Sequence, residues 1–344
     1  MRTTTAFRKY LLPGLVFQSV VIAGGYGTGR ELVEFFLSYG PLGGLLAMLL
    51  VSTVIWSAVC AVTYEFARVF RSYDYRSFFT HLLGRAWPAF EFCYFALLLI
   101  ILAVIAAAAG SILEETFDTS YLVGVLGMMA AVGYLVFRGS STIERVLASW
   151  SFVLYTVYVV LFAWSMSRFG AGTVAALKQG IAHSGWAIGG VRYAAYTLAI
   201  IPALLFYLVM AGQYPEILDR PVPANHVLEL LGSRAFQITF QIVLFGTLIE
   251  TGTGLIHAVN ERIAGVYSER NRVMPAYVRP ATAGSLLAAG ALLAQFGLIS
   301  LIAKGYGTLT WLFLVIFVIP VLTWGIWKLR SPELGRTSNG TNHK

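Results

Sequence analysis

The sequence predicts an all-α polytopic membrane protein, a helical bundle with about nine recognisable spans, and three observations carry that prediction. Hydrophobic residues make up 58% of the 344 and charged residues only 12%, with a mean hydropathy of +0.75, far more apolar than a soluble domain of this length. Apolar stretches of about 20 residues, enough to cross a hydrocarbon layer, recur along the whole chain. The polar stretches between them are too short for a soluble domain.

Taken in order, the spans fall at 11–37, 41–64, 87–113, 121–138, 146–168, 190–212, 235–259, 281–303 and 306–327. Residues 1–10 carry Arg2, Arg8 and Lys9 and read as a cytoplasmic N-terminus. Residues 71–85, with Tyr73, Tyr75, Phe78, Phe79 and His81 among arginines, read as an amphipathic helix on the lipid surface. Residues 169–189 read as a loop, 213–234 as loops or surface helices, and the polar tail 329–344 as disordered. The net charge of +8 comes from Lys and Arg placed between apolar runs, an orientation signal rather than a nucleic-acid surface. Cys60 and Cys93 each sit inside an apolar run, which excludes a disulfide framework or thiolate metal cluster.

Orientation follows the basic residues as far as residue 168. Arg68, Arg71, Arg76 and Arg85 fall inside, Glu114, Glu115 and Asp118 outside, and Arg138 and Arg145 inside again. If 190–212 then crosses once, the basic loop with Arg262, Arg270, Arg272 and Arg279 falls outside, and the tail with Lys328 and Arg330 does too. An even number of crossings between 169 and 234 repairs every assignment, yet the apolar residues there suffice for one span. Either the region around Pro202 is re-entrant or one helix is missing.

The first span is interrupted by Gly24, Gly25, Tyr26, Gly27, Thr28, Gly29, Arg30 and Glu31. Lipid tolerates broken backbone only where protein or a watery cavity satisfies the freed groups, so this segment is expected to line a site. Glycine admits positive φ and close backbone approach to a ligand. A helix restarting near Thr28 would aim its N–H groups at a carboxylate or other anion, and released carbonyls would suit a cation. Arg30 is a partner for Glu31 or for an acidic substrate. Glu31 and Glu34 share a helix face. The competing reading is a glycine-rich packing face.

A second stripe runs through Glu250, Thr253, His257 and Glu261, with hydroxyl oxygens from Thr251 or Thr253 suited to sodium and the Glu250 carboxylate or His257 imidazole suited to a proton; a polar packing seam is the alternative. A zinc site is not indicated, because His257 has no His or Cys at ligand spacing. Tyr193, Tyr196 and Thr197, followed by Pro202, form a third candidate, equally readable as interfacial anchors. No paired-Asp, Gly-Ser nucleophile or HExxH motif with a plausible base occurs, so no enzyme is expected.

The Gly24–Glu31 motif, Phe35-Phe36, Glu250-Thr251-Gly252-Thr253-Gly254 and Asn260-Glu261-Arg262 resemble the YkvI-like family of bacterial membrane proteins through nearly the whole chain. That family is similar to distant members of the amino acid, polyamine and organocation transporter superfamily, whose LeuT-type fold has two inverted five-helix repeats. The resemblance implies a first repeat at 11–168 and a second at 190–328, apparently one helix short. It implies a discontinuous first helix at 24–29, with Tyr196-Thr197 in its counterpart and the Glu250–Thr253 helix facing an ion site. The expected function is a cation-coupled symporter of a small, carboxylate-bearing solute in the bacterial inner membrane. Sodium and proton coupling both remain open, and no other cofactor is expected. Solute and lipid are the expected partners. The alternative is a non-transporting sensor or assembly subunit that keeps the fold, because Pro202 through Phe206 runs directly into Tyr207 and Tyr214, where two helices are expected.

Overall fold

The structure, a computed structural model, describes residues 24–138, 140–195 and 200–330, which are helical with no strand among them. The first span appears as two short pieces, α1 (Gly24–Gly27) and α2 (Arg30–Phe35); its residues 11–23 lie outside the described residues, as do 1–10 and the tail from 331. There follow α3 (Pro41–Phe70), α4 (Tyr75–Leu83), α5 (Trp87–Phe117), α6 (Tyr121–Arg138) and α7 (Ser140–Lys178). Beyond these lie α8 (Trp186–Ala194), α9 (Ile200–Ala211), α10 (Pro223–Leu231), α11 (Arg234–Glu269) and α12 (Val278–Ala294). Last comes α13 (Leu298–Arg330). Among the described residues five helices are long and apolar enough to cross a membrane, in α3, α4–α5, α7, α11 and α13, and two shorter apolar ones lie in α6 and α12.

The centre of the bundle is α5, in which every side chain from Leu102 to Ser111 is buried. A helix apolar on all faces belongs inside other helices, and its alanines let neighbours come close. Tyr121 at the head of α6 donates to Ala294 O at the foot of α12, 2.6 Å away. In lipid, such dispersion contacts and hydrogen bonds hold helices together, since apolar burial alone favours no neighbour over a lipid tail. The α4 helix starts at Asp74, whose carboxylate accepts from Ser77 N at 2.8 Å and caps the first turn. It buries Phe78, Phe79 and Leu82 against the bundle, as an amphipathic surface helix should.

Between α7 and α11 the chain does not pass from one end of the bundle to the other. His183 N donates to Tyr39 O at 2.8 Å and Leu42 N to Ile181 O at 3.1 Å, which sets this loop against the head of α3. The α8 helix then descends beside α3, so close that a Cβ on Gly190 would stand 2.7 Å from Ala47 O; Ser52 Oγ donates to Gly190 O at 2.8 Å. At its foot Ala195 is buried in a cluster with Val59, Phe66 and Phe78, deeper in the bundle. The α9 helix comes back. Tyr207 OH donates to Pro41 O at 2.6 Å, Thr173 Oγ1 donates to Leu208 O at 3.1 Å, and Tyr214 OH stands 3.1 Å from His183 Nε2, where α8 began. Together α8 and α9 form a helical hairpin whose two outer ends share one end of the bundle.

In this geometry the predicted span 190–212 is divided between two short helices, α8 and α9, whose outer ends meet at His183 and Tyr214. The geometry also gathers the basic loops. Arg262 packs 4.0 Å from the rings of both Tyr75 and Tyr94, Arg279 pairs with Glu261 at 2.9 Å, and Lys328 Nζ bonds His81 O. The 71–86, 270–277 and 328–330 regions therefore share one end. Glu115, Asp118, Glu216 and Asp219 lie at the other, where α10 bonds to α5.

Other boundaries move as well. The predicted loop 169–189 is helical to Lys178, and the predicted break between 303 and 306 falls instead at 295–297. Lys304 and Gly305 instead lie in a wide π-helical turn, Leu301–Tyr306. The real break follows Ala294, where Gly297 takes φ +75°.

Residues 212–233 cover the end of the bundle that α8 and α9 open onto. Their helix α10 is fixed by a buried polar knot. Asn225 Nδ2 donates to Glu115 Oε2 at 2.9 Å and to Thr116 Oγ1 at 3.3 Å, Gln241 Nε2 bonds Asn225 Oδ1 and Thr116, and Arg234 reaches Thr116 O at 2.6 Å.

Candidate functional site

The first-helix break is present where the glycines predict it. Thr28 and Gly29 leave the helix, and Gly29 takes φ +83°, a left-handed conformation in which a side chain would also crowd Met210 Sδ and Phe206. Tyr26 O accepts from Gly29 N at 2.9 Å. The remaining freed carbonyls find protein partners: Tyr158 OH donates to Gly27 O at 2.9 Å, and Ala224 N, at the head of α10, donates to Thr28 O at 2.9 Å. A cation held by the Gly27 and Thr28 carbonyls would share them with these donors.

Residues 26–31 are all buried. Arg30, 6% exposed, sends Nη1 to Leu218 O at 2.5 Å and Arg220 O at 3.3 Å, and Nη2 to Glu34 at 3.2 Å. Its ion pair is thus with Glu34. The same guanidinium fastens the 216–220 turn over the break, so the break is closed from the end where α10 lies.

Glu31, 4% exposed, acts electrostatically on the hydroxyls of Tyr26 and Tyr306. Tyr26 stacks on Tyr158 with ring centroids 6.4 Å apart, and its hydroxyl is buried with no hydrogen-bond partner. Tyr193, on α8, packs edge-on against Phe36 at 4.6 Å, while the Arg192 guanidinium lies 5.1 Å from the Phe35 ring. The hairpin foot therefore meets the first helix just beyond its break. Tyr196 and Thr197 lie outside the described residues; Gly24 and Gly25 belong to α1.

The second stripe lies on the helix that packs against the first side of the break. Leu244 of α11 is what a side chain at Gly27 would strike, and Glu250 lies further along that helix. Thr251, beside the stripe, gives its hydroxyl to Thr247 O at 3.0 Å, whereas Glu250 Oε2 and Thr253 Oγ1 of the stripe are buried without a partner, as is Asn260 Oδ1 further on. His257 is half-buried on the same face. Among the described residues no cluster of three or more His, Cys, Asp or Glu could hold a metal ion.

Sequence reasoning missed Tyr158, Tyr306 and the 216–224 cover. One signal was available for Tyr306. Residues 22–28, Ile-Ala-Gly-Gly-Tyr-Gly-Thr, recur at 302–308 as Ile-Ala-Lys-Gly-Tyr-Gly-Thr, differing only at Gly24 and Lys304. Both tyrosines of this repeat, Tyr26 and Tyr306, are fully buried. Tyr158 carries no comparable mark, because a lone Tyr in an apolar helix looks like any core aromatic.

The Arg30 fastening gives a direct expectation. In an Arg30→Ala variant, a cysteine introduced at Thr28 should react with a soluble maleimide about tenfold faster or more, since hydrogen bonds to a charged group contribute roughly 1.5–3 kcal/mol each. Equal rates with and without Arg30 would mean that the cover is held by other contacts.

No protein-family model matches the chain. A curated bacterial protein is similar to it: the uncharacterized membrane protein YkvI of Bacillus subtilis (strain 168), 22% identical over 282 residues, covering 72% of this chain and 79% of that protein. This similarity and the apolar helices mark the chain as a membrane protein with a YkvI-like sequence.

Proposed function

We propose that the chain is a secondary transporter of the bacterial cytoplasmic membrane, a cation-coupled symporter of a small, carboxylate-bearing solute. One observation carries this reading: a helix broken at Thr28 and Gly29, with Glu31 and Arg30 buried beside the break and Arg30 bonded to the 218–220 backbone. Buried intramembrane charge is costly and marks solute or ion pathways, and broken helices at mid-bundle are the usual place for a transported solute. Tyr26, Thr28 and Tyr193 would meet the solute, and release of the Arg30 contacts would open the way to it from the acidic end of the bundle. The N-terminus is read as cytoplasmic, with the basic loops on that side. Uptake into proteoliposomes under an imposed sodium or proton gradient tests the proposal; absence of solute flux under either gradient, for protein that binds solute, would refute it.

Coupling is assigned to Glu31, or to Glu250 with Thr253 and His257. Glu250→Gln is expected to flatten the pH or sodium dependence of solute-induced thermal stabilisation while membrane abundance stays close to that of the parent. An equal fall in abundance and stabilisation would make Glu250 a packing residue.

The α8–α9 hairpin favours a second reading. Where the resemblance implies a second discontinuous helix that crosses, this chain turns back, and a bundle short of that crossing suits a non-transporting sensor or assembly subunit. Saturable solute binding with no flux would support it.

A further inference from the structure

Two arginines lie at the broken helix, Arg30 within it and Arg192 against Phe35, and they differ in what holds them. Arg30 spends its terminal nitrogens on Leu218 O, Arg220 O and Glu34. Arg192, on α8, has no such set. Its guanidinium lies 5.1 Å from the Phe35 ring centroid, and among the described residues it enters no ion pair and no side-chain hydrogen bond. Nε is buried without an acceptor, whereas Nη1 and Nη2, equally without one, keep accessible surface on a residue that is half-buried.

Depth makes this costly. Ser52 Oγ donates to Gly190 O, which sets Arg192 roughly 15–20 Å down α3 from Pro41, near the middle of a hydrocarbon layer ~30 Å thick. An aromatic face attracts a cation but leaves the directed N–H donors of a guanidinium unmatched. Charges at such depth pair with one another or mark the path of a ligand. The fold also makes room for this one: a Cβ on Gly307 of α13 would stand 2.5 Å from Arg192 Nη2. That glycine belongs to the second copy of the repeated Gly-Tyr-Gly-Thr, at 305–308. The missing partner is an anion, and the parallel N–H groups of a guanidinium fork match the two oxygens of a carboxylate.

We propose that Arg192 is the anion-binding residue of the solute site, its free Nη1 and Nη2 holding the solute's carboxylate where α8 meets α2 and α13. The inference rests on the reading of the chain as a symporter of a carboxylate-bearing solute, and it places the carboxylate on the hairpin rather than on Arg30, whose donors are taken.

The test uses the purified full chain in nanodiscs and measures thermal stabilisation by sodium acetate, with acetamide, sodium chloride and sodium dodecanoate as comparators. Acetate should stabilise the parent, and acetamide and chloride at the same concentration should not. Arg192→Lys, which keeps the charge but not the fork, should weaken acetate binding about tenfold or more, and Arg192→Met should abolish it. Without acetate the Arg192→Met protein should melt no lower than the parent, because it loses an uncompensated intramembrane charge. A lower melting temperature would make Arg192 a packing residue and overturn the proposal. So would acetate stabilisation that survives Arg192→Met, equal stabilisation by chloride or acetamide, no acetate effect on the parent, or binding of dodecanoate where acetate is inert, which would mean a lipid carboxylate. Transport is judged separately: solute flux that Arg192→Met leaves intact would remove the anion site and keep the transporter, while Arg192-dependent acetate binding in a protein that moves no solute would do the reverse.

Discussion

In a background of Cys60→Ala and Cys93→Ala, cysteines introduced at Thr119 and at Val273 should be labelled from opposite sides of the membrane. An impermeant maleimide added to intact cells should modify the Thr119→Cys protein and spare the Val273→Cys protein, which reacts only after lysis. The effect is close to all-or-none, because Val273 is 93% exposed in the connection between α11 and α12 and its protection can come only from the bilayer. The physical basis is the α8–α9 hairpin. Since His183 and Tyr214 meet at 3.1 Å, the chain leaves the 186–211 segment on the side where it entered, and α11 begins on the same side as the foot of α5. Had that segment crossed once, positions 119 and 273 would share a side and react together, with Arg270 and Arg272 translocated against the positive-inside preference. Labelling of both from outside would therefore remove the hairpin and invert the last three helices.

Gly27→Leu should abolish solute-induced thermal stabilisation while the protein still reaches the membrane in normal amount. A side chain there drives into Leu244 and comes within 3.4 Å of the Tyr158 hydroxyl that bonds Gly27 O. It disorders the break but adds hydrophobicity to the span, so insertion does not suffer. Gly27→Ala is the graded control: Leu244 presents only the end of a flexible side chain, and partial stabilisation should survive. A Gly27→Leu protein that still responds to the solute as the parent does would detach the break from binding altogether.

Both experiments rest on features of unequal visibility in the sequence. The break was legible because four glycines and an Arg-Glu pair cannot continue a lipid-exposed helix. The surface helix at 75–83 was legible because its apolar residues recur on one face between arginines. The hairpin was only half legible: charge parity required an even number of crossings, but composition cannot say whether a short apolar run goes through or turns back. That choice is made by close approach at Gly190 and by hydrogen bonds from Ser52 and Tyr207, contacts between residues far apart in the chain. The Arg30–Glu34 pair was not drawn from the sequence. Glu31 is adjacent in sequence, yet a helix points neighbouring side chains apart and brings Glu34, one turn on, into reach. The last two spans were misdivided, because the helix runs on through Lys304 and Gly305 in a widened turn and breaks earlier, at Gly297.

The buried knot around Thr116 bears on how the cover over the break can move. Asn225, Gln241, Arg234 and Glu115 rivet α10 to the ends of α5 and α11, so this helix behaves as a fixed post rather than as part of a swinging flap. Any opening stroke is then left to the stretch between Ala211 and Pro223, pivoting on that post at one side and on the hairpin at the other. On the proposed transporter reading such a gate would have a short lever and a small sweep.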